Sequence, residues 1–303
     1  MLGEFKLNEN ELKKLQDRYR LGEAEAKEYG SAVNLFFTTG KKKEEVPRLV
    51  FISGQSGAGK SRLIPLVNGE LSYNAVISDF DTIRAMHPNF GRANREDPIN
   101  VHLALLPDAD KANVDLRNYC RRNKLNFINE GTMRNTEGFI KMAKEFRESG
   151  YFIELALMAV PKLESFGSTF LRYATDLVAN NSPRWVPQSV HDESYDNYLV
   201  TLQEFVKQSL FDRATVYRRG NDEKGTPVKI YSTEERQFRD PVEAVKYGRQ
   251  AFRKDTVRDY DLKHGIVHDI FSQYAPQLLP ELKSWEDLYE IEKESLLKDE
   301  EQK

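Results

Sequence analysis

One stretch, residues 48–63, restricts the folds open to this chain more than any other. The apolar, β-branched run at residues 49–52 predicts a buried strand. Directly after it, residues 54–61 match the phosphate-binding loop pattern G-x-x-x-x-G-K-[ST] in full. Glycines let such a loop curl until several N–H groups point at one anion, and a helix that begins near Lys60 adds the positive end of its dipole. The stretch therefore predicts a site for a nucleoside triphosphate.

Two residues of this loop carry most of the expected chemistry. Lys60 supplies a positive charge for the β- and γ-phosphates, and the Ser61 hydroxyl can ligate Mg²⁺. The residues that we expect to surround the phosphates are Gly54, Gln55, Ser56, Gly57, Ala58, Gly59, Lys60 and Ser61.

Composition restricts the compartment and the partners that we expect for this protein. The chain has 303 residues, enough for a large core, and its net charge of −3 gives no general attraction to nucleic acid or to anionic membranes. No apolar run approaches the length of a membrane span, and the first residues lack a signal-peptide core. A single cysteine, Cys120, excludes an intramolecular disulfide and fits a reducing compartment. We therefore expect a cytoplasmic protein that has neither nucleic acid nor membrane as a partner, with Cys120 as a small buried side chain or an inert surface thiol.

Strand and helix signals alternate along the chain after the charged residues 40–45. Such alternation predicts βαβ units around a mostly parallel sheet flanked by helices, an α/β fold of the P-loop NTPase type, with ligands at the carboxyl ends of the strands. We expect three parts: a helical N-terminal extension at 1–45, a P-loop core at 46–232 and a helical C-terminal region at 233–303. The expected strands lie at residues 49–53, 75–77, 126–129, 152–160, 214–217 and 228–231, with the last two as candidates to pair.

Helices are expected in the remaining segments, and Asn8 or Asn10 should cap the first of them. Gly30 should break the N-terminal helical segment, and Pro276 with Pro280 should restrict any helix near them to a short one. The expected helices lie at residues 5–37 with that break, after Lys60, from about Asp81, and at 136–149, 168–177, 195–210, 241–253 and 285–297.

Two aspartates, Asp79 and Asp81, stand at the end of the second expected strand. At this edge of a sheet, one carboxylate can accept a hydroxyl proton and the other can orient Mg²⁺-bound water. The alternative for either residue is a helix N-cap, because aspartate is a favoured capping residue. The residues alone leave both interpretations open.

A second polar group, Glu130, Thr132 and Arg134, follows the third expected strand. Side chains of these types can hydrogen-bond a polar ligand and pair its phosphates. An ordinary strand-to-helix turn capped by Thr132 is the alternative. Farther along, Arg172 and Arg184 are candidates for the cations that phosphoryl transfer requires, although most arginines are solvated surface groups.

The histidines give a weaker signal. His87 precedes a proline and His191 precedes an aspartate, and we expect both to make structural hydrogen bonds rather than to act in catalysis. No spacing of histidine and cysteine matches a zinc site.

Taken together, these segments resemble the zeta toxin family, the kinase halves of bacterial epsilon/zeta toxin–antitoxin pairs. The order and the intervals of the shared segments extend over residues 48–232. The segments that carry the resemblance are residues 54–61, Asp79-Phe80-Asp81, His87-Pro88-Asn89-Phe90, Glu130-Gly131-Thr132-Met133-Arg134, Met158-Ala159-Val160-Pro161, Arg172-Tyr173, and Arg184-Trp185-Val186-Pro187 running to His191-Asp192.

The resemblance implies an ATP-dependent kinase that phosphorylates a sugar hydroxyl of UDP-N-acetylglucosamine, and whose product starves cell-wall synthesis. It also implies a small helical antitoxin that obstructs the ATP site in a complex of two toxins and two antitoxins. The residue roles that it implies are ATP and Mg²⁺ binding by Lys60 and Ser61, proton abstraction by Asp81, UDP-sugar contacts by Glu130, Thr132 and Arg134, and stabilisation of the γ-phosphate by Arg172 and Arg184.

One part of the family pattern has no clear counterpart in this chain. The family carries a substrate-contacting glutamate on the helix before the third strand, whereas residues 108–117 contain no glutamate. Asp115 is the nearest candidate for that role. Residues 91–106 also differ from the family pattern, so the sugar and the hydroxyl that is phosphorylated stay open.

Three other functions are open to a chain with a phosphate-binding loop. A polynucleotide 5′-kinase would need a basic track for phosphates, of which the composition gives no sign. A GTPase would need an Asn-Lys-x-Asp motif, and residues 123–126 end in Asn instead of Asp. A non-catalytic protein with a vestigial loop would have no need to keep Lys60, Ser61 and Asp81 together.

Overall fold

The computed structural model describes residues 7–97, 100–179, 185–220, 222, 225–235, 237–250 and 254–301, without the side chains of 254–263 and 295–301. The strands are β1 (Arg48–Ser53), β2 (Ala75–Ser78), β3 (Asn126–Gly131), β4 (Phe152–Met158), β5 (Arg213–Arg219) and β6 (Pro227–Ser232). The helices are α1 (Glu9–Tyr19), α2 (Glu23–Thr38), α3 (Leu63–Glu70), α4 (Phe80–Ala85), α5 (Phe90–Glu96), α6 (Val101–Ala104), α7 (Leu106–Arg122), α8 (Thr136–Glu148), α9 (Lys162–Val178), α10 (Gln188–Lys207), α11 (Pro241–Arg249), α12 (Lys254–Tyr274) and α13 (Leu279–Glu301), with 3₁₀ turns at Lys60–Arg62 and Pro276–Leu278.

The six strands form one sheet in the order β2-β3-β1-β4-β5-β6. Strand β2 runs parallel to β3 with Ala75 opposite Asn126, and β4 runs parallel to β5 with Glu154 opposite Arg213. The last strand, β6, pairs antiparallel with β5. This arrangement confirms the predicted α/β class with a mostly parallel sheet, and it confirms the pairing of the last two strands.

Contacts along the chain divide it into two compact units. The first unit comprises Met1–Leu49, Asn68–Glu130 and Phe146–Phe152, and the second comprises Val50–Val67, Gly131–Glu145 and Ile153–Lys303. The three-part division at residues 45 and 232 stays a prediction.

The first unit is built around the packing of α2 on α7. The Tyr29 hydroxyl donates to the Ile83 carbonyl (2.6 Å), and the Leu21 N–H donates to the buried carboxylate of Asp108 (3.0 Å). Cys120 lies on α7 and is fully buried, and burial raises the pKa of its thiol to about 12. The expectation of an inert, buried Cys120 is therefore confirmed.

In the second unit, the C-terminal helices pack on α9 through a cluster of aromatic side chains. Phe170 of α9 contacts Phe271 of α12 and Trp285 of α13. The Trp285 indole lies over Gly167, where a Cβ atom would stand 2.4 Å from the ring, and its N–H donates to the Leu163 carbonyl (3.0 Å). A glycine at this position lets the indole ring approach the helix backbone.

Several predictions about helices were wrong. Helix α2 continues through Gly30 because that residue is buried where α2 packs on α7, and tertiary packing outweighs the weak helix propensity of glycine. Pro276 and Pro280 do not keep the neighbouring helices short, because α12 ends before Pro276 and Pro280 lies in the first turn of α13, where proline is tolerated. Helix α9 begins at Lys162 rather than at residue 168, directly after Pro161.

Helices α10 and α13 also begin earlier than predicted, at Gln188 rather than at 195 and at Leu279 rather than at 285. The cap of the first helix agrees with its prediction. Asn8 caps α1, and its side chain and that of Glu11 exchange hydrogen bonds with each other's backbone N–H (3.0 and 2.9 Å). Among the described helices, none is long and apolar enough to cross a membrane.

Candidate active site

The phosphate-binding loop follows β1, whose residues after Arg48 are all buried. Gly57 and Gly59 have φ angles of +74° and +87°, a region that side chains with a Cβ rarely adopt. A Cβ at Gly57 would lie 1.9 Å from the Ser165 carbonyl oxygen of α9. The glycines of the motif are therefore required by backbone conformation and by the close approach of α9.

The loop keeps backbone donors available for an anion. The Ala58 N–H donates to the Gln55 carbonyl (3.1 Å), which closes a turn. The N–H groups of Gly57 and Gly59 donate to no atom in the described ranges. Two donors on either side of Ala58, in a turn with left-handed glycines, fit the phosphate groups of a nucleotide.

Lys60 and Ser61 begin the helix that follows the loop, as the motif predicts. The first residues form the 3₁₀ turn Lys60–Arg62, which leads into α3. The Lys60 ammonium group donates to the carbonyls of Gly54 and Gln55, each at 3.0 Å, so the lysine lies across the mouth of the loop. The Ser61 side chain is exposed, as a hydroxyl that ligates Mg²⁺ must be.

Buried polar contacts hold the outer side of the loop. The Gln55 side-chain amide donates to the Val160 carbonyl (2.7 Å) and to the Ser165 hydroxyl (3.1 Å). The Arg219 guanidinium donates to the Gly57 carbonyl and pairs with the buried Glu164 carboxylate (3.2 Å). The loop is thus fixed to the end of β4, to α9 and to the end of β5.

Asp79 is the N-cap of α4, because its carboxylate accepts from the Asp81 N–H (3.0 Å) and from the Thr82 hydroxyl (2.6 Å). Of the two interpretations left open for this residue, the structure bears out the capping one. Asp81 lies in the first turn, its side chain is 51% exposed, and it forms an ion pair with Arg84 one turn later. Both aspartates are exposed, but the Asp79 carboxylate is engaged in the helix cap, whereas the Asp81 carboxylate pairs with Arg84.

Contacts from other helices hold the helix that carries Asp81. The His87 side chain is buried, and its Nδ1 accepts from the Asn89 N–H (3.0 Å). Nε2 must then carry the proton, and it faces the Asp108 carboxylate at 3.5 Å. Burial lowers the pKa of His87, which keeps the ring neutral. The expected structural role of His87 is borne out.

On α7, a different residue from the predicted one reaches the end of β2. The Ser78 hydroxyl, at the end of β2, donates to the Asn113 side-chain oxygen (2.6 Å). Asp115 pairs with Lys111 (3.2 Å), and its carboxylate lies close to Gly30 of α2. Residues two apart on a helix point in nearly opposite directions. Asn113 was missed at the sequence level because an amide in a polar helix gives no distinguishing signal.

The chain turns sharply after β3. The three predicted substrate contacts near this turn, Glu130, Thr132 and Arg134, differ in their exposure and their neighbours. Glu130 is exposed on β3, and Thr132 is half-buried. Met133 has a φ of +53° and a fully buried side chain, and its carbonyl accepts from the Thr201 hydroxyl of α10 (2.7 Å). This tether leaves Arg134 exposed, 3.5 Å from the Glu193 carboxylate.

Of the two arginines expected at the γ-phosphate, Arg172 and Arg184, the structure describes only the first. Arg172 is exposed on α9, five residues beyond Gly167, the glycine that contacts Trp285. Arg184 lies outside the described residues. Trp185, directly after it, packs against Phe170 and Tyr173 of α9 at 5.4 and 5.3 Å between ring centroids.

His191 has the structural role that the sequence indicated. Its fully buried ring lies 2.9 Å from the Ser165 hydroxyl, which in turn contacts Gln55 of the loop. Burial lowers the pKa of His191. Among the residues described, no cluster of three His, Cys, Asp or Glu side chains could hold a metal ion.

Comparison with known sequences gives a consistent result. The sequence model of the zeta toxin family matches residues 35–235. Toxin zeta of Enterococcus hirae is 28% identical over 247 residues, which is 81% of this chain and 83% of that protein. Toxin PezT of Streptococcus pneumoniae serotype 4 is 29% identical over 183 residues, 60% of this chain and 72% of that protein.

Comparison with solved structures shows the same fold. The structure described as the PezAT chromosomal toxin–antitoxin system of Streptococcus pneumoniae superposes with a TM-score of 0.74 at 22% identity, over 83% of this chain and 98% of that one. The AvrRxo1-ORF1:-ORF2 complex with ATP reaches a TM-score of 0.50 at 12% identity, over 87% of this chain and 84% of that one.

Proposed function

Because the chain belongs to the zeta toxin family, we propose that it is a kinase that transfers the γ-phosphate of ATP to a sugar hydroxyl of UDP-N-acetylglucosamine or a related UDP-sugar. Phosphorylation of this precursor blocks peptidoglycan synthesis, so the protein acts as a toxin in the cytoplasm. The observation that carries the proposal is the loop at 54–61, with its two available backbone donors at Gly57 and Gly59 and with Lys60 across its mouth.

The triphosphate binds through main-chain N–H donors and through the ammonium group of Lys60. The amides of Gly57 and Gly59 receive phosphate oxygens, and the Lys60 ammonium group leaves the carbonyls of Gly54 and Gln55 for the β- and γ-phosphates. Mg²⁺ held at the Ser61 hydroxyl supplies charge neutralisation to the phosphates when bound. The crystal structure of AvrRxo1-ORF1:-ORF2 with ATP supports ATP as the nucleotide.

Asp81 takes the proton of the acceptor hydroxyl. Its half-exposed carboxylate can reach a ligand, and the Asp79 cap with the Arg84 ion pair restrains its orientation. As the sugar oxygen attacks the γ-phosphorus, the hydroxyl proton passes to Asp81 and the bond to ADP breaks. Asp79 acts only through the helix cap.

The remaining candidates bind the sugar nucleotide or the transferring phosphoryl group. Glu130 is exposed near the end of β3, and the half-buried Thr132 and the exposed Arg134 follow in the short segment held by Thr201. Arg172 and Arg184 supply cations to the γ-phosphate, with an effect that grows in the transition state. On the α7 side, Asp115 stays the predicted contact, and Asn113 is a second candidate because of its bond to Ser78.

A small helical antitoxin neutralises the kinase, and we propose the two-plus-two heterotetramer that the resemblance implies. The structure with a TM-score of 0.74 is described as a toxin–antitoxin system, which supports a partner of this kind.

The kinase is tested with purified protein, Mg²⁺-ATP labelled at the γ-phosphate, and UDP-N-acetylglucosamine. We expect label in the sugar nucleotide, and a loss of at least about a hundredfold in turnover for Asp81→Asn, since general bases contribute factors of this size. Asp17→Asn, which changes an exposed carboxylate on α1, is the matched control and should keep full activity.

Two outcomes would redirect the proposal. Transfer of label to the 5′ end of an oligonucleotide, with none to UDP-sugars, would favour a polynucleotide kinase. Full turnover in Asp81→Asn would remove Asp81 from the role of base. A panel of UDP-sugars, with the product examined by NMR, identifies both the preferred sugar and the hydroxyl.

A further inference from the structure

Arg249, the last residue of α11, reaches the phosphate-binding loop from outside residues 35–235, the stretch that the family model matches. Its side chain is buried, with 8% of the residue exposed. One terminal nitrogen, Nη2, donates to the Gln55 side-chain oxygen (3.3 Å) and to the Tyr195 carbonyl (3.0 Å). A residue 194 positions along the chain thus contacts the second residue of the loop.

In the described part of the chain, the guanidinium of Arg249 is in contact with aromatic rings and with carbonyl-type oxygens rather than with a carboxylate. No ion pair joins it to a carboxylate in the described parts of the chain, where Nε and Nη1 also have no hydrogen-bond partner. The guanidinium instead lies over the rings of Tyr195 and Tyr198, at 3.7 and 4.9 Å from their centroids. Aromatic faces attract a cation without cancelling its charge. A buried guanidinium is costly, and it keeps its proton at neutral pH.

The bond to Arg249 fixes the orientation of the Gln55 side chain. The amide nitrogen of Gln55 donates to Val160 and Ser165, so its oxygen is the atom left for Arg249. The main-chain carbonyl of Gln55 accepts from Lys60 (3.0 Å) and from the Ala58 N–H (3.1 Å). Two hydrogen bonds, both made by Gln55, therefore connect Arg249 to Lys60 of the motif.

We propose that Arg249 is a positioning residue for the phosphate-binding loop: it holds Gln55 in place and contributes a buried positive charge behind the loop that favours the bound triphosphate. The C-terminal helical region thereby completes the nucleotide site. This inference rests on the proposed function in one respect, namely that a nucleotide binds at this loop.

Two properties follow from the burial of the charge. The effect should grow with the charge of the nucleotide, so ATP should lose more affinity than AMP when the charge is removed. It should persist at high ionic strength, because salt screens a buried charge much less than an exposed one.

The test measures nucleotide binding directly, by titration calorimetry of the full chain with Mg²⁺-ATP and with AMP. In Arg249→Met we expect a loss of affinity for ATP on the order of tenfold, at low and at high salt. Arg249→Lys, which keeps the charge but not the planar fork, should recover part of it. Arg213→Met is the matched control, because it removes a guanidinium paired with the buried Glu154 at the amino-terminal side of β5; it should lower the melting temperature and leave ATP affinity unchanged.

A double-mutant cycle with Gln55→Leu tests the route of the effect, and the single variants Gln55→Leu and Arg249→Lys serve if Arg249→Met does not fold. Gln55→Leu should lose a similar factor in ATP affinity, and the double variant should lose less than the product of the two. Fully multiplicative losses, or ATP affinity in Arg249→Met equal to that of the unaltered protein, would overturn the inference alone. Absence of ATP binding by the unaltered protein would instead overturn the proposed function, and this inference with it.

Discussion

At the scale of single residues, the glycines of the loop are not interchangeable with glycines elsewhere. Gly57 and Gly40 both have φ near +75°, at +74° and +76°. A Cβ at Gly57 would meet the Ser165 carbonyl at 1.9 Å, whereas one at Gly40 would meet nothing within 4 Å. An alanine at Gly40 would therefore add backbone strain alone, whereas an alanine at Gly57 would add both backbone strain and a steric clash.

We expect Gly57→Ala to lower the free energy of unfolding by about 2–4 kcal/mol and to abolish ATP binding, because backbone strain and a clash with α9 add. Gly40→Ala carries the strain alone and should cost about 1 kcal/mol, with ATP binding intact. Urea denaturation and calorimetry measure both effects. Equal losses in the two variants would show that the contact with Ser165 is not limiting.

His191 makes the stability of the protein depend on pH. Burial lowers its pKa in the folded state, so at a pH between the folded and unfolded pKa values the unfolded chain binds the extra proton. The stabilisation is complete above the unfolded value of about 6.5 and is lost as the pH falls toward and through the folded pKa. Denaturation curves between pH 7.5 and pH 5 measure it.

We therefore expect the free energy of unfolding to decrease with acidification, and His191→Gln should flatten part of this decrease. His268→Gln, at an exposed position on α12, should leave the slope unchanged. A slope in His191→Gln identical to that of the unaltered protein would contradict this assignment. His87 has the same direction of shift, so some slope should remain in the variant.

At the scale of elements, α9 connects the loop to the C-terminal helices. One part of α9 meets Gly57 and Arg219 through Ser165 and Glu164, and another meets Trp285 at Gly167. Helix α9 also carries Arg172. Anything that displaces the C-terminal helices should therefore affect the nucleotide site through this helix.

Trp285→Ala should lower the free energy of unfolding by about 3–5 kcal/mol, because the indole is buried and its loss leaves a cavity against α9. Leu288→Ala, at a position on the same helix that is 45% exposed, should change it by less than about 0.5 kcal/mol. Chemical denaturation followed by circular dichroism measures both. A small change for Trp285→Ala would mean that α13 detaches at little cost.

Elements with a strong local pattern could be predicted from the sequence, and elements set by packing could not. The runs at β1 and β4 are apolar enough to identify a buried strand, and the spacing of the loop motif is itself a structural rule. Helix α12 was missed because its sequence is charged and it packs on α9 mainly through Val267 and Phe271. Tertiary burial of that kind leaves little periodic signal.

The candidate site divides in the same way. The motif predicted the phosphate-binding loop. For Asp79, the position at a strand end suggested a catalytic carboxylate, and the capping preference of aspartate suggested a helix N-cap. The contacts of Gln55 with Arg249 could not be predicted, because they join side chains 194 positions apart with no pattern between them. Arg219 had a weak signal, as one of two arginines at the end of a strand.

At the scale of the whole molecule, charge and the site agree on the class of substrate. The chain carries 45 basic and 48 acidic side chains, which gives no general attraction for polyanions. At the loop itself, single cations are placed at Lys60 and, behind it, at Arg249. Such an arrangement suits one small phosphorylated ligand better than a long nucleic acid.

The only cysteine in the sequence is Cys120, and its thiol is buried on α7 with a pKa of about 12. Maleimide dyes react with the thiolate form of accessible cysteines, so we expect them not to label Cys120 in the folded protein. Cysteines introduced at exposed positions can therefore be labelled selectively without first removing the natural one. Fluorescence from such a label near Arg172 can therefore test whether that segment changes position when Mg²⁺-ATP is added.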